Sequence, residues 1–250
     1  MADGAAQPVM TQAQGKIRLQ DDIVLQVEAS VLSKRWVFAG HDQRLAAGIS
    51  QSYGLPEVVG RVLAARGIEF DHVPDFLEPT LKVLLPDPHV LKDMEKAAVR
   101  IASAVMNGGK LAVFGDYDVD GATSSALLKR FFQAVGSDIR IYIPDRIKEG
   151  YGPNAPALLK LKDEGIDLAI TVDCGVTAFD ALAAARAAGL EVIVFDHHAA
   201  EPHLPEATAV VNPNRFDEDG SLGNLAAVGV SFLAIVAINR VLRLSGWYRD

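Results

Sequence analysis

Apolar positions follow two rhythms along this chain, and the change between them falls near residue 110. Residues 93–106 place Met94, Ala97, Ala98, Ile101, Ala104 and Val105 at helical spacing. Asn107-Gly108-Gly109 stops that run, as helix ends often do. Residues 45–66 also read as helix, broken near Gly54-Leu55-Pro56. Pro56 suits the first turn of a second helix that ends at Gly67. Residues 77–89 hold three prolines and are expected to be mostly turn and loop. Residues 21–37 suggest a short strand or helix that the pattern does not place.

Beyond residue 110 the apolar runs shorten to residues 111–114, 139–143, 168–172, 192–195 and 209–211. Helical segments at 123–134, 155–164 and 179–188 separate most of them. Short apolar strands alternating with helices predict an α/β fold: a parallel five-stranded sheet with helices on both faces. Three stretches follow. Residues 1–20, rich in Ala, Gln and Gly, are expected to be a mobile tail. Residues 21–108 are expected to be a mainly helical extension, and residues 109–250 the α/β domain.

Composition narrows the class. Half of the 250 residues are hydrophobic, enough to bury a substantial core. The net charge of −8 argues against a general nucleic-acid coat. It does not exclude a nuclease, because metal-binding carboxylates count as negative until cations occupy them. Cys174 is the single cysteine, so no intrachain disulfide forms, and a reducing compartment is the simplest reading. Residues 1–20 show no basic segment followed by an apolar run, the pattern of a secretory signal. The longest apolar stretch, residues 225–238, is shorter than a membrane span and reads as a buried helix. A soluble, cytoplasmic protein is expected.

The candidate chemistry lies where strands should end, the usual ligand site of open α/β sheets. The first strand runs into Gly115-Asp116-Tyr117-Asp118-Val119-Asp120-Gly121, the third into Asp173-Cys174-Gly175, and the fourth into Asp196-His197-His198. Parallel strands set these ends side by side. That many carboxylates cannot cluster ionised without cations between them. Asp with His suits Mn²⁺, and the count is large enough for two ions. Asp-x-Asp-x-Asp-Gly also opens a calcium-binding helix–loop–helix, but its twelfth position would need Glu and is Leu127. Taken singly, Asp173 reads equally well as a helix cap, and His197 and His198 as loop histidines. His41, His72, His89 and His203 fall outside the pattern and read as structural or surface residues. Cys174 reads as a small buried side chain.

These motifs, in this order, resemble the DHH phosphoesterase family. Asp118-Val119-Asp120-Gly121 is similar to its first motif, Asp173-Cys174-Gly175 to its central one, and Asp196-His197-His198 to the triplet that names it. Residues 115–123, Pro144-Asp145-Arg146 with Gly150-Tyr151-Gly152, Val228-Gly229-Val230-Ser231-Phe232 and the leader at 76–88 resemble the family's single-strand-specific exonucleases in particular. The resemblance implies metal-dependent hydrolysis of single-stranded DNA, 5′ to 3′, in repair and recombination. It implies two ions of Mn²⁺ or Mg²⁺ held by Asp118, Asp120, Asp173 and His197. His198 and Asp116 would be catalytic, with His198 on the scissile phosphate. Arg146, Tyr151 and Gly152 would contact substrate. Apart from the resemblance, Thr123 and Ser124 stand at an expected helix start, where amides bind anions, and read equally as phosphate donors or as N-caps. Arg130 and Lys148 are further candidates for the strand's backbone. Such enzymes continue with another Asp ligand and further domains, so residues 109–250 are expected to be incomplete at their C-terminus. The alternatives are a family member acting on short oligonucleotides or pyrophosphate, and a non-catalytic DNA-binding fragment.

Overall fold

The computed structural model describes residues 42–248 and, ahead of them, residues 23, 27 and 29–37. The tail expected at residues 1–20 and the role of His41 lie outside the described residues. Residues 21–37, which the pattern did not place, include an isolated antiparallel bridge between Ile23 and Val37. The chain divides into two units, Met1–Leu85 and Pro86–Asp250.

Among the described residues the first unit is mainly helical, as expected. Asp42 starts helix α1 (Gln43–Tyr53): its Oδ1 accepts the Arg44 and Leu45 amides at 2.8 and 3.2 Å. Gly54 ends α1 with φ 63°, a conformation that favours glycine. Pro56 then leads into α2 (Glu57–Ala65). The two helices form a hairpin around Ile49 and Leu63, closed by Val73. It is tight because Gly60 faces the backbone carbonyl of Ala46 with no room for a Cβ. Short helices α3 (Val73–Leu77) and α4 (Leu81–Leu84) follow. The proline-rich stretch thus holds two helical turns where mostly loop was expected, Leu81–Leu84 between Pro79 and Pro86 and a 3-10 turn at Pro88–Val90.

The second unit begins earlier than the rhythm of the sequence suggests. Helix α5 (Met94–Met106), assigned above to the extension, packs on strand β5 and helix α10, so residues 86–108 group with the sheet. Its apolar spacing matched a helix, but spacing does not reveal what a helix packs against. The strands are β1 (Leu111–Gly115), β2 (Ile139–Tyr142), β3 (Leu168–Val172), β4 (Glu191–Phe195) and β5 (Ala209–Val211). All pair in parallel, in the order β2-β1-β3-β4-β5. Helices α6 (Val119–Ala134), α7 (Arg146–Glu149), α8 (Ala155–Asp163), α9 (Phe179–Ala187) and α10 (Ala227–Leu244) complete the unit.

Both faces are covered over β1, β3, β4 and β5, which is why those strands are nearly continuous apolar runs, whereas the edge strand β2 exposes Arg140. Ala112, Phe114, Ala169, Val192, Val194 and Val210 share a core with Leu158 and Leu161 of α8 and Leu182 and Ala185 of α9. Helices α5 and α6 both pack against α10, with α6 on β1 and β2 and α5 on β5. By length and composition α10 could cross a membrane, yet eight of its residues are buried in this packing, as expected of a core helix. Helix α6 starts at Val119, four residues before the expected 123, for a reason found in the site.

Gly60→Ala should strain the α1–α2 hairpin and destabilise it by about 1–3 kcal/mol, the usual range for overpacking. Gly48→Ala meets nothing nearer than Phe70 Cε2 at 4.0 Å and should be neutral or stabilising. Urea unfolding of the full chain, followed by circular dichroism, separates the two outcomes.

Candidate metal centre

Register builds the site. Gly115 pairs with Val172, Val172 with Phe195, and Phe195 with Val211, so four strands end level. The next residues are Asp116, Asp173, Asp196 and Asn212, all buried. The strand order reverses at β1, and Asp116 and Asp173 flank that switch point, where open α/β sheets bind ligands.

Local geometry then aims each side chain. Asp118 caps α6, its Oδ1 accepting the amides of Asp120 at 2.9 Å and Gly121 at 3.1 Å. This cap is what moves the helix start back from 123. Gly121 lies against the Asp116 backbone, where a Cβ would fall 2.5 Å from the Asp116 nitrogen. Asp173 adopts φ 63°, a left-handed conformation uncommon outside glycine and associated with functional sites. Asp196 acts as a post. Its Oδ2 accepts the Val176 amide at 2.9 Å, and its Oδ1 accepts the His197 and His198 amides at 2.7 and 3.2 Å. The same Oδ1 lies 2.7 Å from His198 Nδ1. Asn212 donates to the His198 carbonyl at 2.9 Å and Asn214 to the His197 carbonyl.

Two groups of ligand-type atoms result, each within 4.8 Å: Asp116, Asp118 and Asp173, and Asp173, His197 and His198. Asp173 belongs to both, with its Oδ1 3.2 Å from His197 Nε2. Asp116 Oδ1 and Asp173 Oδ2 are buried with no hydrogen-bond partner. Burial, the bond to Asp118 and that neighbour's charge push Asp173 up to about 8. Burial also raises Asp116, with the charge of Asp118 adding to it. Asp118 stays low because the Gly121 amide bonds to it. Burial opposes ionisation of Asp196, but the His198 ring and the amide donors outweigh it and hold its carboxyl below the usual range. The bond to Asp196 raises His198 in turn. Orphaned carboxylate oxygens, crowding that opposes their charge, and imidazoles alongside fit one or two divalent cations.

Of the expected ligands, the structure brings Asp118, Asp173 and His197 into these groups, together with Asp116 and His198. Asp120 is in neither. Thr123 and Ser124 are not at the helix start: Thr123 Oγ1 donates to the Val119 carbonyl at 2.7 Å, and Ser124 is fully buried. Ser124 is thereby shut off from solvent, while Thr123 stays exposed. Cys174 is buried, and burial raises its thiol, in keeping with a packing role. His72, His89 and His203 sit beside Glu69, Asp87 and Glu201 and belong to neither ligand group.

The expected substrate residues stand beside it. The Arg146 guanidinium lies over the Tyr117 ring, 4.9 Å from its centroid. Tyr117 meets Tyr151 edge-on at 6.5 Å. The Tyr151 hydroxyl is 3.4 Å from His198 Nε2. Gly152 is buried, with φ 72°. Tyr117, Asn212 and Asn214 were not singled out from sequence. Tyr117 sits between two motif acids, and that was the available signal. The asparagines follow the shortest strand and carry none.

Residues 110–244 match the DHH family, N-terminal domain, and the chain belongs to that family. Among curated proteins it is similar to the single-stranded-DNA-specific exonuclease RecJ of Bacillus subtilis. They are 35% identical over 198 residues, covering 79% of this chain and 25% of that protein. RecJ of Escherichia coli is 36% identical over 197 residues, covering 78% of this chain and 33% of that protein. Among solved structures, an exonuclease RecJ bound to manganese superposes with TM-score 0.56 at 37% identity, covering 61% of this chain and 38% of that one. RecJ of Thermus thermophilus in complex with Mn²⁺ superposes with TM-score 0.65 at 28% identity, covering 82% and 28%. The chain spans about a quarter to a third of the length of the curated relatives it matches.

Gly121→Ala should push the start of α6 off the end of β1 and part Asp116 and Asp118 from Asp173. The expected loss is about 1–3 kcal/mol of stability and roughly 10- to 100-fold in metal affinity, the scale of a disturbed supporting contact. Melting temperatures with and without MnCl₂ check it: the wild-type value should rise with metal and the variant's much less.

Proposed function

We propose that this chain carries the metal-binding part of a single-strand-specific DNA exonuclease. The observation that carries the reading is Asp173, shared by two ligand groups at the ends of three neighbouring strands. Single-stranded DNA as substrate rests on the RecJ relatives, whose names state that specificity. Digestion from the 5′ end, and a part in repair and recombination, belong to the same reading.

Asp116, Asp118, Asp173 and His197 would hold Mn²⁺ or Mg²⁺, with Asp173 common to both ligand groups and Asp120 adding charge at the rim. Bound there, the cations supply Lewis acidity for attack of water on phosphorus and for departure of the leaving oxygen. Asp196 anchors Nδ1 of His198, which leaves Nε2 on the side of the Tyr151 hydroxyl. From there His198 would share a proton with a phosphate oxygen and offset its charge as the bond breaks. Arg146 offers a planar cation to a neighbouring phosphate. Gly152 lets the backbone turn close beside Cys174, leaving Tyr151 at the surface. A cytoplasmic location accords with this activity.

The test is release of nucleotides from a 5′-labelled single strand by the purified chain with Mn²⁺, against a duplex and pyrophosphate. Asp118→Asn is the informative variant, because Asn still caps a helix while the ligand charge is lost. It should fold normally and cut roughly a hundredfold more slowly or worse, a loss typical when a charge-stabilising group is removed. Hydrolysis of pyrophosphate alone, or a wild-type rate in the variant, would overturn the proposal.

A further inference from the structure

The segment that carries Arg146 and Tyr151 leaves an edge strand and is thinly supported. It runs from the end of β2 through Asp145, makes the single turn α7, and passes Gly150 and Gly152, both at positive φ. Ile147 within it is 94% exposed, and Lys148 is exposed too. Little apolar burial holds such a loop in one place. Yet its two functional side chains must stand beside the carboxylate–histidine cluster.

Glu149 supplies the missing hold. Its Oε1 accepts the Tyr142 hydroxyl at 2.5 Å, and its Oε2 accepts the Asp145 amide at 2.7 Å. One carboxylate therefore ties the far end of α7 both to the strand and to the loop's own beginning. Tyr142 is a firm post. Its ring is buried and stacked on Phe114, with centroids 5.3 Å apart and planes at 18°. The Lys160 ammonium lies over the same ring, 5.5 Å from its centroid. The Tyr142 hydroxyl, the Asp145 amide and the charge of Lys160 keep Glu149 ionised, which strengthens both bonds.

We infer that Glu149 is a positioning residue: clamped on Tyr142, it sets the loop so that Arg146 lies over Tyr117 and Tyr151 meets His198. It acts through the loop, and its consequence for catalysis rests on the reading under Proposed function. Glu149→Leu is similar in size and has no acceptor, so both bonds are lost. Tyr142→Phe removes the other partner and leaves the stacked ring.

On the full chain with Mn²⁺ and a single-stranded oligonucleotide, each variant should raise KM about tenfold and change kcat less than about threefold, as expected when ordering for substrate binding is lost. Mn²⁺ affinity should stay at the wild-type value. The double variant should be no worse than Glu149→Leu alone, because the Tyr142 hydroxyl then has no carboxylate left to hold. Amide exchange in residues 146–152 should quicken about tenfold while residues 168–173 keep their protection. A wild-type KM, single effects that multiply, or a matching loss of Mn²⁺ affinity would overturn the inference. If the wild-type chain itself hydrolyses nothing, the function has failed and not the clamp. Exchange then decides alone, and unchanged protection of residues 146–152 sinks it.

Discussion

Parallel strands in register end at one level, and here that geometry forces aspartates together. Gly115, Val172 and Phe195 are neighbours across β1, β3 and β4, so the residue after each has nowhere to go but the same row. Parallel pairing sets the spacing, and buried apolar faces on both sides of the sheet hold it. Everything chemical in this protein depends on that row. Carboxylates so confined repel one another and lack water, and a divalent cation resolves both problems at once.

The row also shows how one residue type takes two roles. Asp173 and Asp196 are adjacent and equally buried. Asp196 is surrounded by donors: three backbone amides and the His198 ring. It is held ionised and has no capacity to spare for a metal. Asp173 has an oxygen with no donor, a left-handed backbone, and Asp118 beside it. Its charge needs a partner from outside the chain. Thus the Asp that names the motif orients the histidines, while the Asp of the central motif faces the cluster. This division follows from counting donors, not from the residue type.

The outer edge of the row is held by a different device. Arg215 is buried against Asp93 and Asp217, and it donates to the carbonyl of Val210. Asp93 also accepts the Val210 amide, so the start of α5 and the shortest strand are tied together. Asn212 and Asn214 lie within that tie and fix the carbonyls of both histidines. Helix α5 therefore belongs with the sheet for a functional reason as well as a packing one.

Much of this was legible in the residues alone. Strand runs were apolar because both faces are buried, and helices were spaced by their core positions. Thus the five strands, the parallel α/β class and the convergence of Asp and His at strand ends could all be read directly. Arg146 and Tyr151, singled out through motif resemblance, stand beside that convergence. What the sequence could not determine was set by contacts between distant residues. The start of α6 depended on Asp118 bonding to amides that follow it, and the place of α5 depended on β5 and α10. Neither Asp120's exclusion from the ligand groups nor the burial of Ser124 leaves a trace in spacing, since both depend on how a helix rotates against a sheet. Tyr117, Asn212, Asn214 and the Glu149 clamp became visible only as geometry. A hydrogen bond between side chains far apart in sequence has no local pattern; it exists only once the chain has folded and the register is set.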